Sequence, residues 1–151
     1  AEAVLERARS AGIPVVVVGA TGAKRVYAEA TGLSVPGVHL AGRLSDAELR
    51  YVTRRARALV FPSLYEGFGL PVIEAQAVGC PVVASDRASI PEAGGEGALY
   101  FDALDPSAAV RLISSLDEVQ GELVGRGRAN VARFSWDNSA DRVLAIAGRS
   151  P

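Results

Sequence analysis

Cysteine is almost missing from this chain of 151 residues, with Cys80 standing alone. An internal disulfide framework is thereby excluded, and a reducing, cytoplasmic setting is expected. Neither sign of charge is in excess: 16 basic and 17 acidic residues leave a net charge of −1. Such a balance gives no reason to expect nucleic acid or an acidic membrane surface as a partner. No apolar run reaches the length of a membrane span. No basic stretch leading into an apolar core opens the sequence, so no secretion signal is expected. Metal-ligand spacing is absent, so neither a bound metal nor another cofactor is expected. Repeats and low-complexity tracts are lacking too. What remains is an ordinary soluble globular composition, 49% apolar and 22% charged,. The length suits one domain with a real core.

Predicted strands and helices alternate along the chain. Residues 3–11 read as a helix stopped by Gly12. Val15–Val18 is a β-branched run, as in a strand buried on both faces. A helix follows over 23–31, then a short strand over 38–40. Ser45-Asp-Ala-Glu48 is a capping box that starts a helix over 46–56. Strands at 58–61, 82–84 and 98–101 enclose a helix at 70–78. Helices at 106–116, 118–132 and 136–147 complete the series. The alternation predicts an α/β fold, a Rossmann-like parallel sheet with helices on both faces. Ligands of such sheets bind beyond the carboxyl ends of the strands. Gly94-Gly-Glu-Gly97 is the segment expected to be most flexible.

The densest information lies in Phe61-Pro-Ser-Leu-Tyr-Glu-Gly-Phe-Gly-Leu-Pro-Val-Ile-Glu74. A strand ends at Phe61 and a helix starts near Gly69-Leu-Pro71, where a missing proline N–H costs nothing. The amides of Gly67, Phe68, Gly69 and Leu70 then point out of an open helix N-terminus, which binds anions and above all phosphates. A carboxylate is repelled by phosphate, so Glu66 and Glu74 make sense as acceptors of sugar hydroxyls on either side of a diphosphate. The eight-residue step between them spans at most about 12 Å in helical form.

This constellation resembles the donor-binding signature of retaining glycosyltransferases with the GT-B fold, family GT4. The family pattern E-G-F-G-L-P-x-x-E stands intact from Glu66 to Glu74. Gly42-Arg-Leu-Ser-Asp-Ala-Glu-Leu49 is similar to the family's G-x-V-x-D-x-E-L segment. Ala75 to Ser85, Ile90-Pro-Glu92 and Phe134-Ser-Trp136 also match in order and spacing. The resemblance implies that residues 1–151 are a nucleotide-sugar donor-binding domain, the C-terminal half of a GT-B fold. Glu66 would lie by the transferred sugar as the catalytic or charge-stabilising residue. Glu74 would hold the ribose, Gly67 to Leu70 the diphosphate, and the main chain at Leu44 the base. The implied partners are a nucleotide diphosphate sugar and the N-terminal acceptor domain, or a companion segment, that completes the fold. Family donor domains also begin with a strand and a loop bearing an Arg and a Lys that clamp the diphosphate. That strand would lie between those at 15–18 and 58–61. Without it the sheet would carry a gap, or its neighbours would close up.

Other meanings remain for several of these residues. Glu66 could be a solvated loop carboxylate, Glu74 a partner of the helix dipole, and 67–70 a simple glycine turn. Leu44 serves equally well as a core residue before a helix. The chain as a whole could be a non-catalytic nucleotide- or sugar-binding regulatory module. A GT-B epimerase or phosphorylase is a further option, but no cofactor-lysine signature supports the phosphorylase. Val15-Val-Val-Val-Gly-Ala-Thr-Gly22 looks like a dinucleotide fingerprint, yet Arg25 occupies its third glycine position and no acidic residue ends the next strand. Cys80 reads as a small core residue, His39 as a packed histidine, and Trp136 as an anchor for the last helix. Arg54, Arg55 and Arg57 read as a solvated helix face.

Overall fold

Two parallel ladders organise the chain. The computed structural model describes residues 2–19 and 36–148. Strand β1 (Val15–Val18) pairs with β2 (Val38–Gly42), and β3 (Leu59–Phe61), β4 (Val82–Ser85) and β5 (Leu99–Phe101) form a second sheet in the order β3-β4-β5. Every pairing is parallel, with Val15 opposite Val38, Leu59 opposite Val82 and Val83 opposite Leu99. Among the described residues no ladder joins β1 to β3, so these strands have not closed up. The expected helix over 23–31 lies outside the described residues.

Strand β4 shows why the second sheet holds. All four of its residues are buried. Val83 points into one core with Val4, Phe101, Ala109, Ile113 and Leu116. Val82 and Ala84 point the other way, into a core with Val72, Ala75, Cys80, Ile90 and Ala98. This period-two alternation, apolar on both sides, is what a central parallel strand requires. Helices α1 (Glu2–Ser10), α5 (Pro106–Ser114) and α6 (Leu116–Val131) supply the first core, and α3 (Leu70–Ala77) and α4 (Ile90–Gly94) the second. Helix α2 (Asp46–Arg55) carries the expected capping box: the Ser45 amide donates to Glu48 Oε2 at 2.8 Å, and the Glu48 amide returns a bond to Ser45 Oγ at 3.4 Å. Helix α7 (Trp136–Ala147) closes the series at the bounds predicted. No described helix is long and apolar enough to cross a membrane.

Five local expectations are overturned. Val16 and Val18 are 49% and 38% exposed, so β1 buries one face rather than two. His39 points outward from β2 between half-buried Val38 and Leu40, because the strand's alternation places it on the opposite face. Trp136 is 84% exposed and anchors nothing. The nearby ring that does make contact is Phe134, edge-on to Phe68 with centroids 5.7 Å apart. Gly94 to Gly97 is not loose: α4 runs into a 3₁₀ turn over Gly95–Gly97, pressed against α6. Arg54 and Arg55 fit the solvated face foreseen, whereas Arg57 lies past the helix end and reaches Asp117 at 3.0 Å.

Buried polar side chains fasten that 3₁₀ turn. Gln76 on α3 donates to the Gly94 carbonyl at 2.8 Å. Asn130 on α6 donates to Gln76 Oε1 and to the Ala93 carbonyl, each at 2.8 Å. The Tyr100 hydroxyl donates to the Gly95 carbonyl at 2.7 Å. A Cβ at Gly97 would lie 2.7 Å from the Gly127 amide nitrogen, so helix and turn meet backbone to backbone.

Two predictions follow from this packing. Gly97→Ala should destabilise the fold by about 1–3 kcal/mol through overpacking. Gly125→Ala, on α6 with nothing within 4 Å of its Cβ position, should stabilise by up to about 1 kcal/mol. Denaturant unfolding of the two variants checks the opposite signs. The second prediction concerns alkaline pH. Burial pushes the Cys80 thiol up from 9.0 to about 11 and the Tyr100 hydroxyl from 10.0 to about 12. The unfolded chain therefore ionises first as pH rises. Stability from these neutral groups is whole below pH 9 and is lost between 9.0 and about 12,. Thermal melts across that range should show a falling midpoint, and Cys80→Ala should remove the part that begins near pH 9.

Candidate functional site

The loop between β3 and α3 is held at three points by serine hydroxyls. Ser85, fully buried at the carboxyl end of β4, donates to the Ser63 carbonyl and so ties the loop to the central strand. Ser63 Oγ lies 3.0 Å from Glu66 Oε1 and 3.1 Å from the Tyr65 carbonyl. Ser89, just before α4, donates to the Glu66 carbonyl at 2.9 Å. Glu66 is thus held by both its side chain and its main chain, half-buried where β3 and β4 end.

Helix α3 then starts at a glycine for two reasons. Gly69 has φ +96° and ψ 35°, the left-handed region that side-chain-bearing residues avoid,. A Cβ there would also sit 3.2 Å from Ala93 Cβ, so Gly69 lets α4 approach. Gly67 meets no such limit, since nothing lies within 4 Å of its Cβ position. No side chain caps this helix. Among the described residues, the amides of Gly67, Phe68, Gly69 and Leu70 donate no hydrogen bond within the chain, and the Val72 amide is the first that does, to Gly69 O at 3.0 Å. Unclaimed donors at a helix N-terminus are a place for an anion.

Glu74 follows on the exposed side of α3, while Gln76 faces the core. Glu66, residues 67–70 and Glu74 therefore share one loop and its helix. Phe68 leaves nearly half its ring exposed and rests its edge on Phe134. Leu44 is half-buried in the loop between β2 and α2, and among the described residues no hydrogen bond links it to the Glu66 loop. Gly19 and Gly42 mark the ends of β1 and β2, with the Gly19 amide on the Gly42 carbonyl at 2.9 Å.

Arg87, on the loop that also carries Ser89, is already engaged. Arg87 spans Asp86 at 3.2 Å and Asp102 at 2.7 Å. The Leu104 amide, and after it the Arg87 guanidinium, hold the Asp102 carboxyl below its usual range. Between Arg87 and Ser89, Ala88 takes φ +52°, a left-handed conformation in a residue with a Cβ. Such strain persists only where surrounding contacts impose it, and here the Arg87 ion pairs and the Ser89 bond stand on either side. Sequence reasoning passed over Ser63, Ser85 and Ser89. Only the i to i+3 spacing of Ser63 and Glu66 hinted at a local bond.

Comparison with known proteins places the chain in a family. The family model described as Glycosyl transferases group 1 matches residues 1–118. O-antigen chain mannosyltransferase B of Escherichia coli is 40% identical over 106 residues, covering 68% of this chain and 28% of that protein. MMP alpha-(1->4)-mannosyltransferase of Mycolicibacterium hassiacum is 38% identical over 117 residues, covering 72% and 28%. The chain thus spans under a third of the length of these curated relatives. The solved sucrose-phosphate synthase of Thermosynechococcus elongatus superposes with a TM-score of 0.79 over 97% of this chain and 41% of that one, at 24% identity. That likeness concerns the fold, an α/β arrangement of parallel strands and flanking helices of GT-B type. With its family model covering most of the sequence, this chain belongs to the Glycosyl transferases group 1 family.

Proposed function

We propose that this chain is the donor-binding part of a retaining glycosyltransferase that moves a sugar from a nucleotide diphosphate sugar to an acceptor. The observation that carries the proposal is the uncapped N-terminus of α3, bracketed by Glu66 and Glu74. The four free amides hold the diphosphate. Glu74, one turn into the helix, accepts from the ribose hydroxyls. Glu66 accepts from the sugar and faces the positive charge that develops at its anomeric carbon. The main chain at Leu44 meets the base. Mannose is the first sugar to test, because both relatives are named as mannosyltransferases.

Electrostatics sets the limit of this segment on its own. A helix N-terminus supplies roughly half a positive charge, and Glu66 and Glu74 oppose the phosphates. Arg87 is spent on its two aspartates. The family resemblance implies that an Arg and a Lys on a loop of an N-terminal domain or companion segment offset the rest of the diphosphate charge. Residues 1–151 alone should bind the donor weakly and transfer nothing, and robust turnover by this chain would overturn that division of labour. The reaction's setting is cytoplasmic, where nucleotide sugars are substrates.

Calorimetric titration with UDP-, GDP- and ADP-sugars tests the assignment. One nucleotide should bind, and Glu74→Ala should weaken it by about tenfold or more, the worth of hydrogen bonds to a charged group. If no nucleotide binds, or if the substitution leaves affinity unchanged, the ribose assignment is wrong.

A further inference from the structure

We infer that Ser63 is a positioning residue that sets the orientation of the Glu66 carboxylate toward the sugar. The inference rests on the functional reading above, in which Glu66 meets the transferred sugar. A carboxylate on a glycine-flanked loop has several rotamers, and an exposed one samples them all. Glu66 does not have that freedom. Its Oε1 lies 3.0 Å from Ser63 Oγ, and among the described residues its Oε2 has no partner. One oxygen is occupied by the protein, and the other is left to accept a hydroxyl.

Ser63 has a single hydroxyl proton and two acceptors near it, Glu66 Oε1 at 3.0 Å and the Tyr65 carbonyl at 3.1 Å. A charged acceptor forms the stronger bond, so the proton goes to the carboxylate. The donor itself is fixed. Ser85, with no exposed surface in the most deeply buried strand, holds the Ser63 carbonyl. Ser89 holds the Glu66 carbonyl from the opposite loop at 2.9 Å. The two residues that face each other across this bond are thus each anchored by a separate serine. An isolated surface contact between two mobile side chains contributes little, but here both backbones are already immobilised and little entropy remains to be lost.

The test uses the 151-residue chain and two ligand pairs, GDP with GDP-mannose and UDP with UDP-glucose. Affinities are read by ligand-observed NMR titration, which suits weak binding. In the wild type the sugar nucleotide of one pair should bind more tightly than its nucleoside diphosphate, and this gain measures the sugar's contribution. Ser63→Ala leaves the Ser85 tie intact, because that tie uses the main chain. It should reduce the sugar gain by about threefold to tenfold, with nucleoside diphosphate affinity and melting temperature unchanged. Ser63→Thr keeps the hydroxyl and should restore the gain. In a Glu66→Ala background, Ser63→Ala should cost nothing more, since coupled residues are not additive.

A Ser63→Ala chain that keeps its sugar gain would overturn the inference while leaving the donor site standing. Equal weakening of nucleoside diphosphate and sugar nucleotide, with a lowered melting temperature, would overturn it too, by making Ser63 a structural residue only. A wild type that binds nucleoside diphosphate without any sugar gain would remove the Glu66 assignment and this inference with it. A wild type that binds neither would remove the whole donor reading.

Discussion

The side-chain bond between Gln76 and Asn130 is the contact on which the placement of the site helix depends. Both amides are buried. Each is satisfied: Gln76 Nε2 on Gly94, Gln76 Oε1 by Asn130 Nδ2, Asn130 Nδ2 also on Ala93, and Asn130 Oδ1 by Arg133 at 2.8 Å. A slip of α3 along α6 would strand at least one of these groups out of reach of water, and each stranded group costs about 1–3 kcal/mol. Apolar contacts alone would tolerate such a slip far better, since they are not directional. Gln76 lies two residues after Glu74, on the opposite side of the same helix. The polar lock in the core therefore fixes where the open end of α3 points.

That open end carries a conflict which the fold resolves by separation. Free amides attract an anion, whereas Glu66 and Glu74 repel one. The repulsion is tolerable only if the acids lie beside the anion rather than against it. Glu66 sits on the loop before the helix, held by serines, and Glu74 lies one turn beyond its start. Arg87, on the neighbouring loop, is held by two aspartates and adds no net positive charge. Among the described residues, that end is surrounded by backbone dipoles, serine hydroxyls and the two carboxylates.

The parts of the fold decided locally were legible in the sequence. The capping box at Ser45, the proline in the first turn of α3 and the β-branched run of β1 each have a short-range cause, and each element appears where expected. The loop from Glu66 to Glu74 was legible for the same reason, because its glycine, proline and acid spacing encodes its own geometry. What failed depended on partners distant in sequence. Val16 and His39 lie on the exposed face of their strands' alternation, and an apolar run does not report which of its two faces is covered. Trp136 reads as an anchor for the last helix, but nearby Phe134 holds the contact. Gly94-Gly-Glu-Gly97 read as slack because glycine is permissive in isolation. Its glycines serve close approach instead, since Gly127 of α6 and the Asn130 side chain fill the space that side chains would need.

The same distinction explains why the serines went unnoticed. A serine in a loop is a common turn residue, and nothing in the spacing of Ser63, Ser85 and Ser89 brings them together. Parallel pairing of β3 with β4 does so, because it sets the ends of both strands side by side, with Phe61 opposite Ala84. The residues at and just beyond those ends then meet: Ser85 reaches the Ser63 carbonyl and Ser89 reaches that of Glu66. A parallel sheet gathers the loops that follow its strands at one edge, and short hydroxyl side chains suffice to knit two of them into a single rigid rim. Precision at Glu66 is in this sense a property of the strand register. Any change that shifted β3 against β4 by one residue would move the carboxylate even with every residue of the glycine-rich loop unchanged.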